Sequence, residues 1–191
     1  MRRRITVLLL FGAAIAVTLL SYSRQVGATA QSGVTTLITA KSTLAPFEVF
    51  NHVVVPNPKG DGDNDRDDKM LWLSMQATRG SSDFYIVNNT WAPVDPTTKA
   101  VATTGWHSHP GHSLIVVTAG TLTDYESDDP ECKPHVYTAG MSFVDSGGNH
   151  THVIRNEGTV AASDIAVQLV PAGASRKIDA PTAPANCPGI E

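Results

Sequence analysis

His107 and His109 sit in the run Thr104-Gly105-Trp106-His107-Ser108-His109-Pro110-Gly111-His112-Ser113 and are the residues of this chain best suited to chemistry. Side chains alternate along a β-strand, so histidines one residue apart point to the same side. Neutral imidazole is the commonest protein ligand for a transition metal. A second cluster follows further along the chain, His150-Thr151-His152-Val153-Ile154-Arg155-Asn156. The two clusters together predict a metal held between two strands of one small β domain. Ser113 shares parity with His107 and His109, and His150 shares a face with His152. Three neutral imidazoles leave positions open on a divalent ion for water, dioxygen or a substrate oxygen. They also leave the charge of the ion unneutralised, available as a Lewis acid or to activate water. Iron, manganese, nickel, copper and zinc all suit such a set, and affinity order alone does not choose among them.

Other chemistries find less support. There is no G-x-S-x-G, no cysteine poised beside a histidine, and no CxxC pair. Gly60-Asp61-Gly62 and Gly147-Gly148 lack the Lys-Ser/Thr and strand–helix context of a phosphate loop. The acidic segment from Gly60 to Lys69 places Asp61, Asp63 and Asp65 at positions 1, 3 and 5 of a calcium loop. Arg66 stands where that loop needs glycine, and Trp72 where it needs a bidentate glutamate, so it is not an EF-hand. A solvated acidic loop is the plain reading; a weak calcium site of different geometry is the alternative.

The N-terminal residues 1–30 read as an address. Met1-Arg2-Arg3-Arg4 is basic, and Ile5 to Leu20 is uncharged and mostly apolar. Ala28-Thr29-Ala30 is a small-x-small cleavage site. The apolar run is shorter than the ~20 residues of a membrane span. Cleavage after Ala30 predicts an exported domain, secreted or periplasmic; a retained anchor would leave the same domain outside the membrane. Loss of Arg2, Arg3, Arg4 and Arg24 takes the formal charge from −4 to a strongly acidic value. That argues against nucleic acid and anionic membrane as partners. Roughly 160 residues then remain, enough for one domain with a proper core. Both cysteines, Cys132 and Cys187, lie in the exported part. An even count in an oxidising compartment favours one disulfide, the alternative being two unpaired thiols.

No long helical periodicity follows. Short β-rich runs alternate with turn residues instead. Strands are expected at Phe47–Val55, Met70–Thr78, Phe84–Asn89, His112–Val117, Thr121–Tyr125, His135–Thr138, Ser142–Asp145, His152–Asn156 and Asp164–Val170. Such spacing predicts an all-β, single-domain antiparallel barrel or jelly roll. Residues 31–40 read as a flexible lead-in, 41–172 as the barrel, and 173–191 as an extended tail tied down by the disulfide.

The residues at this point resemble the cupin superfamily, whose first motif is G-x5-H-x-H-x3,4-E-x6-G and second G-x5-P-x-G-x2-H-x3-N. His107-x-His109 with Gly120 fits the first, and Gly140, Gly148 and His152-x3-Asn156 fit the second. Residues 40–172 are covered, and small secreted bacterial single-domain cupins are the nearest likeness. The resemblance implies a cupin-type jelly-roll barrel holding a divalent transition metal on His107, His109 and His152. Four departures stand out. Ser113 occupies the glutamate slot, Val101 the opening glycine slot, and Ser146 the proline slot. The second motif is also one residue long, so counting from Gly140 lands on Thr151 and counting back from Asn156 lands on His152.

Ser113, His112 and His150 are the candidates to replace or support the missing carboxylate. His112 is out of parity and reaches the site only through a bulge at Gly111. His150 could ligate or act from outside the first ring of donors. Trp106 reads as aromatic core or a pocket floor, and Asn156 as a turn hydrogen bonder. The expected function is an exported metal-binding cupin acting on or binding a small organic molecule, in its enzymatic form a metal-dependent dioxygenase. A non-catalytic binding or sensor module and a metal-free scaffold are the alternatives. Cupin-like proteins often dimerise by strand exchange, for which Phe47–Val55 is the candidate segment.

Overall fold

The computed structural model describes residues 30–59 and 69–191. Among them there are thirteen β-strands and no α-helix. One five-stranded sheet runs in the order β1 (Val34–Leu44), β4 (Ser82–Trp91), β12 (Ala162–Pro171), β7 (Ser113–Ala119), β10 (Ser142–Asp145). A second runs β13 (Ile178–Asp179), β6 (His107–Ser108), β11 (His152–Asn156), β8 (Thr121–Glu126), β9 (His135–Thr138), with β5 (Ala102–Thr103) also paired to β11. A two-stranded ribbon, β2 (Glu48–Pro56) and β3 (Lys69–Ala77), completes the set. Every pairing is antiparallel. This is an all-β jelly roll.

Alternation decides which side chains meet between the sheets. Along β12, Ala162, Asp164, Ala166, Gln168 and Val170 are buried while their neighbours are half-exposed. Val87, Trp91, Ile115, Leu122 and Ile154 join them in the main core. Each fully buried aliphatic side chain of this kind contributes roughly 1.5–3 kcal/mol. β11 differs, because His152, Val153 and Ile154 are all buried. His152 and Ile154 face the barrel interior, and Val153 packs outward against Trp106, Tyr125 and Cys187. That outer cluster exists because the C-terminal tail covers it. Trp106 Nε1–H donates to Ile190 O at 2.6 Å, and Cys132 and Cys187 are bonded as a disulfide with Cα atoms 5.3 Å apart.

Two sequence expectations change here. Residues 31–40, expected as a flexible lead-in, carry the first part of β1, in register with β4 from Val34↔Trp91 to Leu44↔Ser82. Leu37 and Ile38 are exposed, so main-chain pairing with β4, with little side-chain burial, holds this segment. Residues 173–191 are more than a strap, since β13 adds a strand beside β6 through Ile178↔Ser108 and Asp179↔His107. The acidic segment, Lys69 apart, lies outside the described residues.

Candidate metal centre

β6 and β11 set the site. His107 and His152 are direct partners across that pair, which places both rings on the inner side at a centroid separation of 4.6 Å. His109 follows two residues after His107 and its ring stands edge-on to the His107 ring, centroids 4.7 Å apart. The three side chains are buried. One ring nitrogen from each lies within 4.8 Å of the others.

Their outer nitrogens are all held by oxygen. His107 Nδ1–H donates to Gly105 O at 2.8 Å, His109 Nδ1–H to Arg176 O, and His152 Nδ1–H to Asp124 Oδ1 at 3.1 Å. These acceptors assign the tautomer, because a neutral ring protonated at Nδ1 presents a bare lone pair at Nε2. The Nε2 atoms of His107 and His109 are 3.1 Å apart, so two lone pairs face each other. His152 Nε2 is buried with no hydrogen-bond partner. An arrangement of acceptors with nothing to accept is costly in a dry interior. A shared cation resolves it. Two donors each ~2.1 Å from one ion stand roughly 3.0–3.4 Å apart between right-angled and tetrahedral geometry. The residues fit a divalent transition metal.

Electrostatics sort the three rings. Burial, reinforced by the neighbouring His152 and His109, holds the His107 pKa well below the usual histidine range. Burial also lowers His109, against the opposing pull of Arg176 O and Asp145. For His152 burial again pulls down, but the hydrogen bond and charge of Asp124, with Asp145 and Glu126, outweigh it, and the net shift is upward. In the metal-free chain a proton competes with a metal for His152.

The three rings have a carboxylate neighbour outside the histidine motifs, Asp145. This buried residue closes β10 and is the register partner of Ser113 on β7. Its Oδ2 lies 3.5 Å from His109 Nε2 and 3.8 Å from His152 Nε2. Ser113 Oγ–H donates to the same oxygen at 3.3 Å, and Gly147 N–H donates to Oδ1 at 2.9 Å. Nothing in the spacing of the histidine motifs points to Asp145; only the pairing of β10 with β7 does.

The remaining candidates separate clearly. Ser113 lines the inner cavity and receives a hydrogen bond from Gln168 Nε2 at 2.9 Å. His112 faces away, lining clefts with Gln76 and Leu169 on the outside of the sheet, so no bulge brings it inward. His150 sits at the edge, with Nε2 3.2 Å from Asp128 Oδ1 and its ring 6.1 Å from that of His152. Asn156 Nδ2 donates to Ala92 O and Val160 O, a turn role. Trp106 belongs to the outer cluster, not to the cavity wall. Counting the second motif back from Asn156 selects the histidine the structure brings to the site, since Thr151 instead bonds Ser127 Oγ at 2.9 Å.

The histidines open onto a cavity of about 80 Å³. Val87, Ile115, Ile154 and Ala166 form its apolar wall, and Gln168, Arg176 and Lys177 its polar side. Arg176 donates to Gln168 Oε1 and lies over the Tyr85 ring at 5.5 Å.

Neither a protein-family model nor a curated protein matches this chain. Among solved structures, a protein with a double-stranded β-helix domain from Klebsiella pneumoniae is 16% identical at TM-score 0.40, covering 51% of this chain and 74% of that one. A cupin superfamily protein from Desulfitobacterium hafniense is 10% identical at TM-score 0.37, covering 63% and 78%. An oxalate oxidase is 23% identical at TM-score 0.36, covering 47% and 46%, so this chain spans less than half of it. The structural neighbours thus include cupin superfamily proteins, at similarities too low to carry an argument about chemistry. The jelly-roll assignment rests on the strand order itself.

Proposed function

We propose that this chain is an exported metal-binding barrel whose cavity takes a small organic molecule. The convergence of three buried Nε2 lone pairs, with each Nδ1 tied to an oxygen, carries this reading. A divalent transition ion bound there supplies Lewis acidity toward an oxygen donor of the ligand. The chain's own groups orient and enclose. Gly105 O, Arg176 O and Asp124 fix the rings, and the apolar wall excludes water. Arg176 and Lys177 place positive charge beside the cavity, which suits an oxygen-rich ligand. Pockets for drug-sized ligands run to roughly 300–1,000 Å³, so this cavity favours a molecule of few heavy atoms.

The enzymatic form of this proposal is a metal-dependent dioxygenase. The cystine and the basic, apolar N-terminus are compatible with export to an oxidising compartment. Metal analysis of protein from its native compartment, followed by oxygen uptake with candidate thiols and phenols, tests it. Bound iron with substrate-dependent uptake supports the enzyme. Stoichiometric zinc with no uptake overturns the dioxygenase.

A non-catalytic binding module is favoured by one observation. Asp164, the acid that lines the cavity, already accepts from Trp91 Nε1 at 2.6 Å and Asn89 Nδ2 at 2.9 Å. It is engaged as an acceptor and poorly placed as a general base. His107→Ala separates the readings: loss of turnover at intact fold marks an enzyme, and loss of ligand binding from a parent without turnover marks a binder.

A further inference from the structure

We propose that Asp145 is a fourth, carboxylate ligand of the ion held by His107, His109 and His152, delivered from β10 in place of the side chain that Ser113 lacks. The inference rests on the metal-binding reading above and deepens it. Ser113 lines the histidine cavity from β7, and its hydroxyl donates to Asp145 Oδ2 at 3.3 Å. Asp145 is directly opposite it in the β7–β10 ladder. Across such a pair, Cβ atoms lie ~4.5–5.5 Å apart, so a carboxylate can move from one strand to its partner and still serve the same point.

The local contacts aim one oxygen at the site. Oδ1 accepts from the Gly147 amide, and Oδ2, which accepts from Ser113 Oγ at 3.3 Å, is turned toward His109 Nε2 and His152 Nε2 at 3.5 and 3.8 Å. Both separations are slightly wider than the roughly 3.0–3.4 Å between two donors each ~2.1 Å from one ion, so a small rotation of the carboxylate brings Oδ2 into the set. Gly147 holds the backbone where this happens. Its φ is +67°, and a Cβ on it would stand 2.2 Å from Gly111 O. Gly148 N–H in turn donates to His109 O at 2.7 Å, so the turn after β10 ties Asp145 and His109 into one rigid unit.

The consequence is chemical. A carboxylate lowers the net charge of a divalent site by one unit and removes one open position. The set becomes three imidazoles and one carboxylate, which binds a harder ion such as manganese or iron better than three imidazoles alone.

Metal-free parent, D145N and the exchange variant S113E/D145N are titrated with Mn(II) and Co(II), and the visible Co(II) spectrum is recorded for each. Asparagine keeps an oxygen for the Gly147 amide, so D145N preserves the turn. The expected result is at least ~10-fold weaker Mn(II) binding in D145N, the smallest loss typical of a partner at a metal site. Its Co(II) bands shift, and the exchange variant recovers much of the affinity. A Co(II) spectrum in D145N that matches the parent, whatever the affinity, overturns the proposal while leaving the three-histidine site standing. If D145N does not fold, the exchange variant decides alone: parent-like Mn(II) affinity supports the proposal, and D145N-like loss in a folded exchange variant overturns it. A parent that takes up neither ion overturns the histidine reading and this proposal with it.

Discussion

His107 and His152 are direct partners across the β6–β11 pair, with ring centroids 4.6 Å apart, although they come from separate motifs. Register therefore builds the site, and anything that slips β6 against β11 turns one ring out of the barrel. β13 guards against this by pairing with the other edge of β6.

The second ring of contacts is the first point to test. Asp124 Oδ1 accepts from His152 Nδ1 at 3.1 Å and is itself buried on β8. Asp124→Asn removes the charge that favours Nδ1–H and thereby frees His152 to protonate Nε2 instead. Zn(II) affinity measured by competition with a chelator is expected to fall ~10–100-fold, with little change in unfolding temperature.

The turn after β10 predicts a packing effect. Gly147→Ala forces a side chain into a left-handed residue and against Gly111 O. The cost is at least ~2 kcal/mol, or a fall of roughly 4–8 °C in Tm for a chain of this size. Differential scanning calorimetry reads it. Gly140→Ala is a useful contrast, because it shares the positive φ but its added Cβ meets nothing within 4 Å. It should cost less.

The cystine predicts a link between oxidation and the outer cluster. Replacing both Cys132 and Cys187 by serine is expected to cost ~2–4 kcal/mol. It also loosens the tail over Trp106, whose Nε1–H bonds Ile190 O. A red shift of tryptophan emission on reduction of the parent, before global unfolding, is the measurable sign.

Acid stability follows from Asp83. The Gly173 amide, Thr43 hydroxyl and Lys41 ammonium hold its pKa down to about 2, from an ordinary 3.8. The native state then binds fewer protons than the unfolded chain between these values, so this contribution is complete above pH 3.8 and is lost as pH falls toward 2. Asp83→Asn should lower stability at pH 6 and flatten the acid limb of the stability curve, as urea midpoints against pH will report.

Much of this was legible in the sequence. Strands such as β12 and β7 declare themselves as β-rich runs bounded by turn residues, and burial alternates along them. β1 does not, since its apolar residues are exposed and main-chain pairing holds it. The two-residue strands β5, β6 and β13 are too short for any pattern and exist only as partners of longer ones. The three histidines are legible from spacing because two share a strand face and the third ends a recognisable motif. Asp145 is not, because its place depends on which residue of β7 it faces. Spacing within one strand carries no such information.

The central claim is that three Nε2 lone pairs share one ion. Calorimetric titration of metal-free protein with Zn(II), in the parent and in H107A, tests it most directly. One ion is expected to bind per parent chain, with binding abolished or weakened at least ~100-fold in folded H107A. Equal, stoichiometric binding by both proteins, or none by the parent, would contradict it.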